Sequence, residues 1–201
     1  MLDLIVLATK NEGKARELTS LLEGLARRVE SLAAHPDVSL PPETGKTYRE
    51  NALLKARAVN HALGVPALAD DSGLEVDALG GAPGPNSARY AGPDASDFEK
   101  IDKLLRKLAV VPQGKRAARF RCVLALVRGA KGGEAVVEGV CEGRIVELPR
   151  GAGGFGYDPI FLPHGEARTF AELPTDLKNR ISHRARAARA LRALPGYDWG
   201  G

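Results

Sequence analysis

The apolar positions at the start of the chain predict a strand, a loop and a helix. The short continuous apolar run "LDLIVLA" predicts a strand that is covered on both faces. In the following segment "TKNEGKARELTSLLEGL", apolar side chains recur at helical spacing and Gly24 stands near the end. We therefore expect an α/β fold.

A second helix and strand are predicted after a proline-rich loop. Thr47 and Glu50 have the spacing of a capping box, which predicts a helix that begins at Thr47 and ends before Gly64. The run "VPALAD" then predicts a second buried strand. In open α/β sheets, ligands bind beyond the carboxyl ends of such strands.

The segment "DDSG" at the end of that run admits two interpretations. Short polar side chains and glycine favour a tight turn, so Asp70 and Asp71 are predicted to turn the chain. The same carboxylates could instead serve a metal ion and a water molecule. The two interpretations are compatible if the turn carries the site.

The second half of the chain predicts a helix, two strands and a final helix. The segment "DFEKIDKLLRKLAVV" is helical, and its predicted apolar face is Phe98, Ile101, Leu104, Leu105 and Leu108. Two alternating segments separated by "AKGGE" predict an antiparallel hairpin, and hence a mixed sheet. The last helix could begin at Thr175 or at Ser182, and Pro195 with Gly196 ends it.

Composition narrows the class of protein without identifying it. The chain has 201 residues, of which 44% are hydrophobic and 27% charged, with a formal net charge of +4. This balance predicts one globular domain over 1–201 that favours anionic partners. No long apolar run is present, so a cytoplasmic protein without a membrane segment is expected. Cys122 and Cys141 lack metal-ligand spacing and are interpreted as buried thiols.

The first loop and helix start could bind phosphate. A helix N-terminus offers backbone N–H groups and a favourable dipole to an anion, and Thr9, Asn11 and Lys14 would add side-chain donors. The P-loop pattern GxxxxGK[ST] is absent. An ordinary capped helix start remains the alternative.

Two acidic residues could hold a divalent cation. Glu43 lies just outside the second helix, and Mg²⁺ usually takes one or two carboxylates while keeping several waters. Glu43 and Asp71 would suffice for such a site. The alternative for Glu43 is a solvated loop charge.

Two later segments could recognise a base. In "GAGGFGYD", glycines allow close backbone approach, and Phe155 and Tyr157 could stack on a base. The alternative is a flexible surface loop around two core aromatics. His183 and Arg184 in "KNRISHR" offer further donors, or else belong to a basic solvated helix face.

Taken together, these segments resemble the inosine triphosphatase or Ham1-like family. The resemblance rests on "LATKNEGKARE", "ETGKTYRENALLKA", "ADDSGLEVDALGGAPG", "SARYAG", "GGFGYDPIF" and "ISHR", in this order from about Leu4 to Arg184. It implies hydrolysis of inosine, deoxyinosine and xanthosine triphosphates to a monophosphate and pyrophosphate. It also implies an elongated mixed β-sheet with flanking helices, two lobes around a central substrate cleft, and a homodimer.

The resemblance also implies roles for single residues. Glu43 and Asp71 would bind Mg²⁺, Asp71 would be the general base, and Asp70 would support it. The substrate-binding residues that it implies are Thr9, Asn11, Lys14, Lys55, Ser72, Phe155, Gly156, Tyr157, Asp158, Lys178, His183 and Arg184. We further hypothesise that donors from Arg184 or backbone N–H groups pair with the 6-oxygen of inosine, whereas the amino group of adenine would leave these donors unpaired.

Two other classes of protein stay open at this point. A nucleic-acid-binding module could use the basic last helix, although the placed carboxylates oppose this, and its binding would weaken steeply with salt. The related Maf-type pyrophosphatases are similar in overall shape. Their amino-terminal serine-proline-arginine-arginine signature is replaced here by "TKNEGK".

Overall fold

The computed structural model describes residues 1–129 and 133–195 of the chain. Its strands are β1 (Leu2–Leu7), β2 (Ala26–Ser31), β3 (Ala67–Val76), β4 (Ala117–Val127), β5 (Glu134–Ile145) and β6 (Phe161–Pro163). Its α-helices are α1 (Glu12–Leu21), α2 (Tyr48–Leu63), α3 (Asp97–Lys107), α4 (Thr175–Ile181) and α5 (His183–Arg192).

The strands form one six-stranded mixed sheet in the order β2-β1-β3-β4-β5-β6. β1 pairs in parallel with β2 and with β3, whereas β5 and β6 are antiparallel. The predicted mixed α/β fold is therefore confirmed. β4 and β5 are neighbours as predicted, and residues 130–132 of the loop that joins them lie outside the described residues.

The chain divides into two compact units. Unit 1 comprises residues 1–71, 122–139 and 184 onward, and unit 2 comprises residues 72–121 and 140–183. The boundaries fall inside β3, β4 and β5, so each of these strands contributes to both units.

Unit 1 has a hydrophobic cluster on each face of its strands. Ile5 and Leu7 of β1 pack in a cluster with α1 and α5, whereas Val6 and Ala8 pack in a cluster with α2. Successive residues of a strand point to opposite faces, so one apolar run fills both clusters. The prediction that this strand is covered on both faces is therefore confirmed for β1.

Unit 2 has a hydrophobic core of its own. Apolar residues of α3 and β5 pack there with Phe161 and Phe170, and the rings of these two phenylalanines have centroids 5.0 Å apart. Leu104 and Leu108 of the α3 segment are fully buried in this core. Phe98 is 76% exposed, so its predicted place on the apolar face of α3 is wrong. It is the second residue of the helix, where the backbone has only begun to turn.

The predicted turn at "DDSG" is also wrong, because β3 continues through it to Val76. Gly73 is not among the glycines with positive φ, so no left-handed turn residue is present there. Asp70 and Asp71 are 1% and 5% exposed. Turn chemistry suits side chains that bond their own backbone in solvent, whereas these carboxylates are buried among charged partners.

The helix ends follow the capping signals closely where those are strong. α2 has Thr47 as its N-cap, the full capping box with Glu50, and Gly64 in the left-handed conformation at its end. α1 begins after Asn11, whose side chain accepts a hydrogen bond from the backbone of Lys14. The apolar spacing had suggested a longer helix, but α1 ends at Leu21.

The structure adds a strand that the sequence analysis did not predict and divides the last predicted helix in two. β2, with the sequence "ARRVES", has no apolar run and lies at the edge of the sheet, where charged side chains are tolerated. The two possible starts of the last helix correspond to two helices, since Ser182 is extended between α4 and α5. No helix within the described ranges has both the length and the apolar content needed to cross a membrane.

Candidate functional site

The two adjacent aspartates of β3 point to opposite faces of the strand in unit 1. Asp70 shares the face of Leu68, which packs with α1 and α5, whereas Asp71 shares the face of Ala69, which packs with α2. Neighbouring carboxylates therefore have different partners. A tight turn at these residues would not place the two carboxylates on opposite faces of a strand.

Asp70 is held by two cations. Its Oδ1 accepts a hydrogen bond from Lys14 Nζ at 2.7 Å, and its Oδ2 accepts one from Arg184 Nε at 2.6 Å. Arg184 Nη1 also donates to Glu17 Oε2 at 3.0 Å. Burial acts to lower the pKa of Arg184, but the Asp70 and Glu17 carboxylates outweigh it, so the net shift is upward and the charge persists. The thiol of Cys122 lies 3.5 Å from Asp70 Oδ2.

Asp71 shares a single ammonium group with Glu43. Lys55 Nζ is 2.8 Å from Asp71 Oδ1, 2.8 Å from Glu43 Oε1 and 3.0 Å from the backbone oxygen of Asp70. Burial raises the pKa of Asp71, and the nearby Glu43 adds to the rise while Lys55 opposes it. Burial lowers the pKa of Lys55, but the two carboxylates outweigh this and the net shift is upward. The ammonium therefore stays charged, and Asp71 is a stronger base than an exposed aspartate.

Asn51 completes the arrangement around Asp71. It is fully buried, its Nδ2 lies 3.5 Å from Asp71 Oδ2, and its Oδ1 accepts a hydrogen bond from the backbone of Gly45 at 2.8 Å. A Cβ on Gly45 would lie 2.6 Å from Asn51 Oδ1, so this close approach requires glycine. Sequence reasoning missed Asn51 and Glu17. The available signal was helical spacing, because Asn51 is four residues from Lys55 and Glu17 is three from Lys14.

The Glu43 and Asp71 carboxylates fit a magnesium site by their chemistry. Each has an oxygen 2.8 Å from the ammonium nitrogen of Lys55, so the two carboxylates converge on one position. Mg²⁺ needs only one or two protein carboxylates. Within the described ranges, no group of three or more histidine, cysteine, aspartate or glutamate side chains is arranged to hold a metal. A magnesium ion here would therefore complete its coordination with water or phosphate oxygens.

The predicted phosphate loop lies at the start of α1, also in unit 1. Thr9 Oγ1 accepts a hydrogen bond from the backbone of Asn11 at 3.1 Å, and Asn11 caps the helix. Thr9 and Asn11 line a surface cavity of about 540 Å³ together with Lys10 and Arg16. The structure thus brings Lys14 and Asp70 together at the start of α1. The same residues also form an ordinary capped helix start, with Asn11 as the N-cap.

The glycine-rich loop of unit 2 folds around the carboxylate of Asp158. Its Oδ2 accepts hydrogen bonds from the backbone of Phe155 at 2.9 Å and from Lys178 Nζ at 2.5 Å. Lys178 Nζ also lies 5.1 Å from the centroid of the Phe155 ring. Gly154 has φ +72°, and an added Cβ would collide with the Asp158 carboxylate. Phe155, Asp158 and Lys178 are therefore one cluster.

Tyr157 and His183 are buried in unit 2. The Tyr157 hydroxyl donates to the backbone oxygen of Ser87 at 3.0 Å, and burial raises the pKa of this phenol, with Tyr90 and Asp97 adding to the rise. The His183 ring stacks on Phe120 with centroids 4.6 Å apart. Both rings thus belong to the interior rather than to a solvated face.

Ser72, Gly156 and Arg184 are the remaining predicted site residues. Ser72 follows Asp71 in β3 and is partly exposed. Gly156 has φ +63° and donates its backbone N–H to Asp97 Oδ2 at 2.6 Å. The two donors of Arg184 described above point to Asp70 and Glu17, so its contact with a base stays a prediction.

Comparison with known proteins adds independent information. The profile of the Ham1 family matches residues 5–194. The chain is 52% identical over 187 residues to the dITP/XTP pyrophosphatase of Geobacillus kaustophilus, covering 93% of this chain and 91% of the relative. It is 51% identical over 199 residues to the dITP/XTP pyrophosphatase of Methylococcus capsulatus, covering 96% and 98%.

Solved structures agree with this match. A HAM1 protein from Coxiella burnetii has a TM-score of 0.83 and 44% identity, covering 95% of this chain and 96% of that one. A nucleoside-triphosphatase / dITP/XTP pyrophosphatase from Mycobacterium abscessus has a TM-score of 0.74 and 43% identity, covering 95% and 100%.

The buried ion pairs of unit 1 lead to a stability prediction. Arg184→Met should lower the free energy of unfolding by about 3–5 kcal/mol, because it removes the buried cation that pairs with both Asp70 and Glu17. Arg57→Met is the matched control, since Arg57 makes two hydrogen bonds to Glu134 on the exposed surface. We expect about 0–1 kcal/mol for the control. Urea denaturation measures both, and equal losses would contradict the prediction.

Proposed function

Because the chain belongs to the Ham1 family, we propose that it is an enzyme that hydrolyses non-standard purine nucleoside triphosphates. The proposed substrates are dITP, XTP and ITP. The first two appear in the name of the relatives described above, dITP/XTP pyrophosphatase. The products are the nucleoside monophosphate and pyrophosphate. The structural observation that carries the proposal is the sharing of Lys55 by Asp71 and Glu43 in unit 1.

In this proposal the phosphates bind to residues of unit 1. A triphosphate brings about four negative charges, which oppose the approach of an anionic base. Lys14 and Lys55 supply positive charge beside Asp70 and Asp71, and each is already held in place by a carboxylate. Thr9 and Asn11 add donors at the start of α1, where the helix dipole favours an anion.

Asp71 is the general base in this proposal. Its carboxylate accepts the proton of the water that attacks the α-phosphorus, and the bond between the α-phosphorus and the bridging oxygen breaks so that pyrophosphate leaves. Burial and Glu43 raise the pKa of Asp71, which makes it a better proton acceptor than a solvated aspartate. Asp70 bonds to Lys14 and Arg184 and thereby holds these two cations beside β3.

Glu43 and Asp71 are the proposed ligands of Mg²⁺. The ion supplies positive charge that offsets the charge of the phosphates. Lys55 contributes charge at the same carboxylates, since its Nζ lies 2.8 Å from each of them.

The base binds to residues of unit 2 in this proposal. Phe155 is the partly exposed ring of the glycine-rich loop, whereas the Tyr157 ring is 4% exposed and packs in the core. Stacking is therefore assigned to Phe155, which contacts Asp158 and Lys178 and adjoins Gly156. Ser72 is a further proposed substrate contact. Stacking on an aromatic ring is tolerant of base identity, so selectivity must come from hydrogen bonds to the base edge.

Replacing the proposed base tests the reaction itself. Wild-type protein with Mg²⁺ and inosine triphosphate should release pyrophosphate, and adenosine triphosphate should be a poor substrate. Asp71→Asn should lower kcat roughly 10²–10⁴-fold, the usual contribution of a general base. Asp3→Asn, at a side chain that is 90% exposed, is the matched control and should retain full activity. Release of orthophosphate, or no turnover of any triphosphate, would refute the proposal.

Magnesium binding can be measured without catalysis. Titration calorimetry of the protein with MgCl₂ and inosine monophosphate should detect a magnesium-dependent heat that Glu43→Gln weakens at least severalfold. The physical reason is the loss of one of two charged oxygen ligands. Glu30→Gln, at a glutamate that pairs with His35, is the control. Equal magnesium affinity in wild type and Glu43→Gln would remove Glu43 from the site.

A homodimer and a cytoplasmic location complete the proposal. The family resemblance supports the first, and two buried free thiols fit the second, since disulfides are uncommon in that compartment. Equilibrium sedimentation at micromolar protein should give twice the mass of the 21.3 kDa chain. A single species at the chain mass would contradict dimerisation.

A further inference from the structure

The segment Phe155–Asp158, named here the base loop, is held by several contacts within unit 2. The backbone N–H of Phe155 bonds to the Asp158 carboxylate, and that of Asp158 bonds to the Phe155 oxygen, so both close within the loop. The N–H of Gly156 leaves the loop and donates to Asp97 Oδ2 at 2.6 Å. This backbone bond therefore ties the loop to a different element.

Asp97 is well placed to fix the loop. It is the first residue of α3, 59 positions before Gly156 in the chain, and its Oδ1 lies 2.6 Å from Lys100 Nζ. Lys100 has a side chain that is 14% exposed, so the carboxylate is anchored from its own helix. One oxygen of Asp97 thus holds the helix side and the other holds the loop.

The charge of Asp97 persists at neutral pH. Burial acts to raise its pKa, but hydrogen bonds from Lys100 and from the backbone of Gly156 outweigh this and lower it. A charged acceptor forms a stronger and shorter hydrogen bond than a neutral one. The 2.6 Å separation is of that kind.

Gly156 has no side chain that could hold it by packing. Its φ is +63°, and an added Cβ would meet no atom within 4 Å. Its conformation therefore depends on backbone hydrogen bonds, namely the turn closed by the Asp158 N–H and the Phe155 oxygen and the bond to Asp97. Glycine can leave this conformation at little steric cost. The bond to Asp97 selects one backbone conformation beside Phe155.

We infer that Asp97 is a positioning residue for base recognition, acting through the Gly156 backbone to hold the base loop in its binding conformation. This inference rests on the proposed function, in which the loop binds the purine. Asp97 touches the loop and not the substrate. Its loss should weaken binding of the base portion while leaving phosphate binding in unit 1 unchanged.

A purely structural role at the start of α3 is the competing explanation. An acidic residue in the first turn stabilises a helix through its dipole. Glu99 provides the matched comparison, because it lies in the same first turn and forms a capping box with Ser96. Its carboxylate accepts hydrogen bonds from the backbone and hydroxyl of Ser96 at 2.8 and 2.7 Å.

The test compares Asp97→Ala, Asp97→Asn and Glu99→Ala. Inosine monophosphate and inorganic pyrophosphate are used separately as inhibitors of inosine triphosphate hydrolysis. Asp97→Ala should raise the inhibition constant of the monophosphate roughly 5–10-fold, the size expected for one hydrogen bond, and leave that of pyrophosphate unchanged. Asp97→Asn should be intermediate, because its amide oxygen still accepts from Gly156. Glu99→Ala should leave both constants unchanged.

Hydrogen exchange of the free proteins supplies a readout that does not need catalysis. Exchange at the Gly156 amide should be faster in Asp97→Ala than in wild type or Glu99→Ala. Equal exchange in wild type and Asp97→Ala overturns the inference, as does an equal rise of the monophosphate constant in Asp97→Ala and Glu99→Ala. A wild-type protein that releases no pyrophosphate overturns the proposed function instead, and exchange then still decides whether Asp97 holds the loop.

Discussion

The arrangement of unit 1 depends on the need to neutralise two adjacent carboxylates that are buried in one strand. Burying an unpaired charge is strongly unfavourable, so Asp70 and Asp71 each require cationic partners. The strand sends them to opposite faces, and helices on both faces therefore supply the cations. Lys14 and Arg184 reach Asp70 from α1 and α5, and Lys55 reaches Asp71 from α2.

This constraint also separates the chemical roles of the two aspartates. Asp70 has a cation on each oxygen and is well suited to a fixed structural role. Asp71 shares one ammonium with Glu43, so negative charge exceeds positive charge among these three groups. Burial raises the pKa of Asp71 although Lys55 opposes the rise, and the excess negative charge is what the proposed magnesium ion would offset. In the proposed mechanism, the reactive aspartate is therefore the one whose charge is incompletely compensated.

Unit 2 uses carboxylates differently, to shape a loop that lacks regular secondary structure. Gly154 and Gly156 allow positive φ, which lets the backbone N–H groups of the loop turn towards acidic side chains. Asp158 accepts bonds from inside the loop and from Lys178, and Asp97 accepts one from outside. An irregular loop can therefore have a defined conformation, because its polar backbone groups are satisfied at specific acceptors.

By itself, the sequence determined the elements whose signals are local. Capping residues and apolar spacing predicted α2 from Thr47 to Gly64, and the motifs predicted the family to which the chain belongs. Only the tertiary structure decided that "DDSG" continues as a strand, because local turn preference was outweighed by partners as distant as Arg184. It alone identified Glu17, Asn51 and Asp97 as partners of predicted site residues. Helical spacing places Glu17 and Asn51 beside Lys14 and Lys55, but their contacts with Arg184 and Asp71 depend on distant segments that a local pattern does not specify.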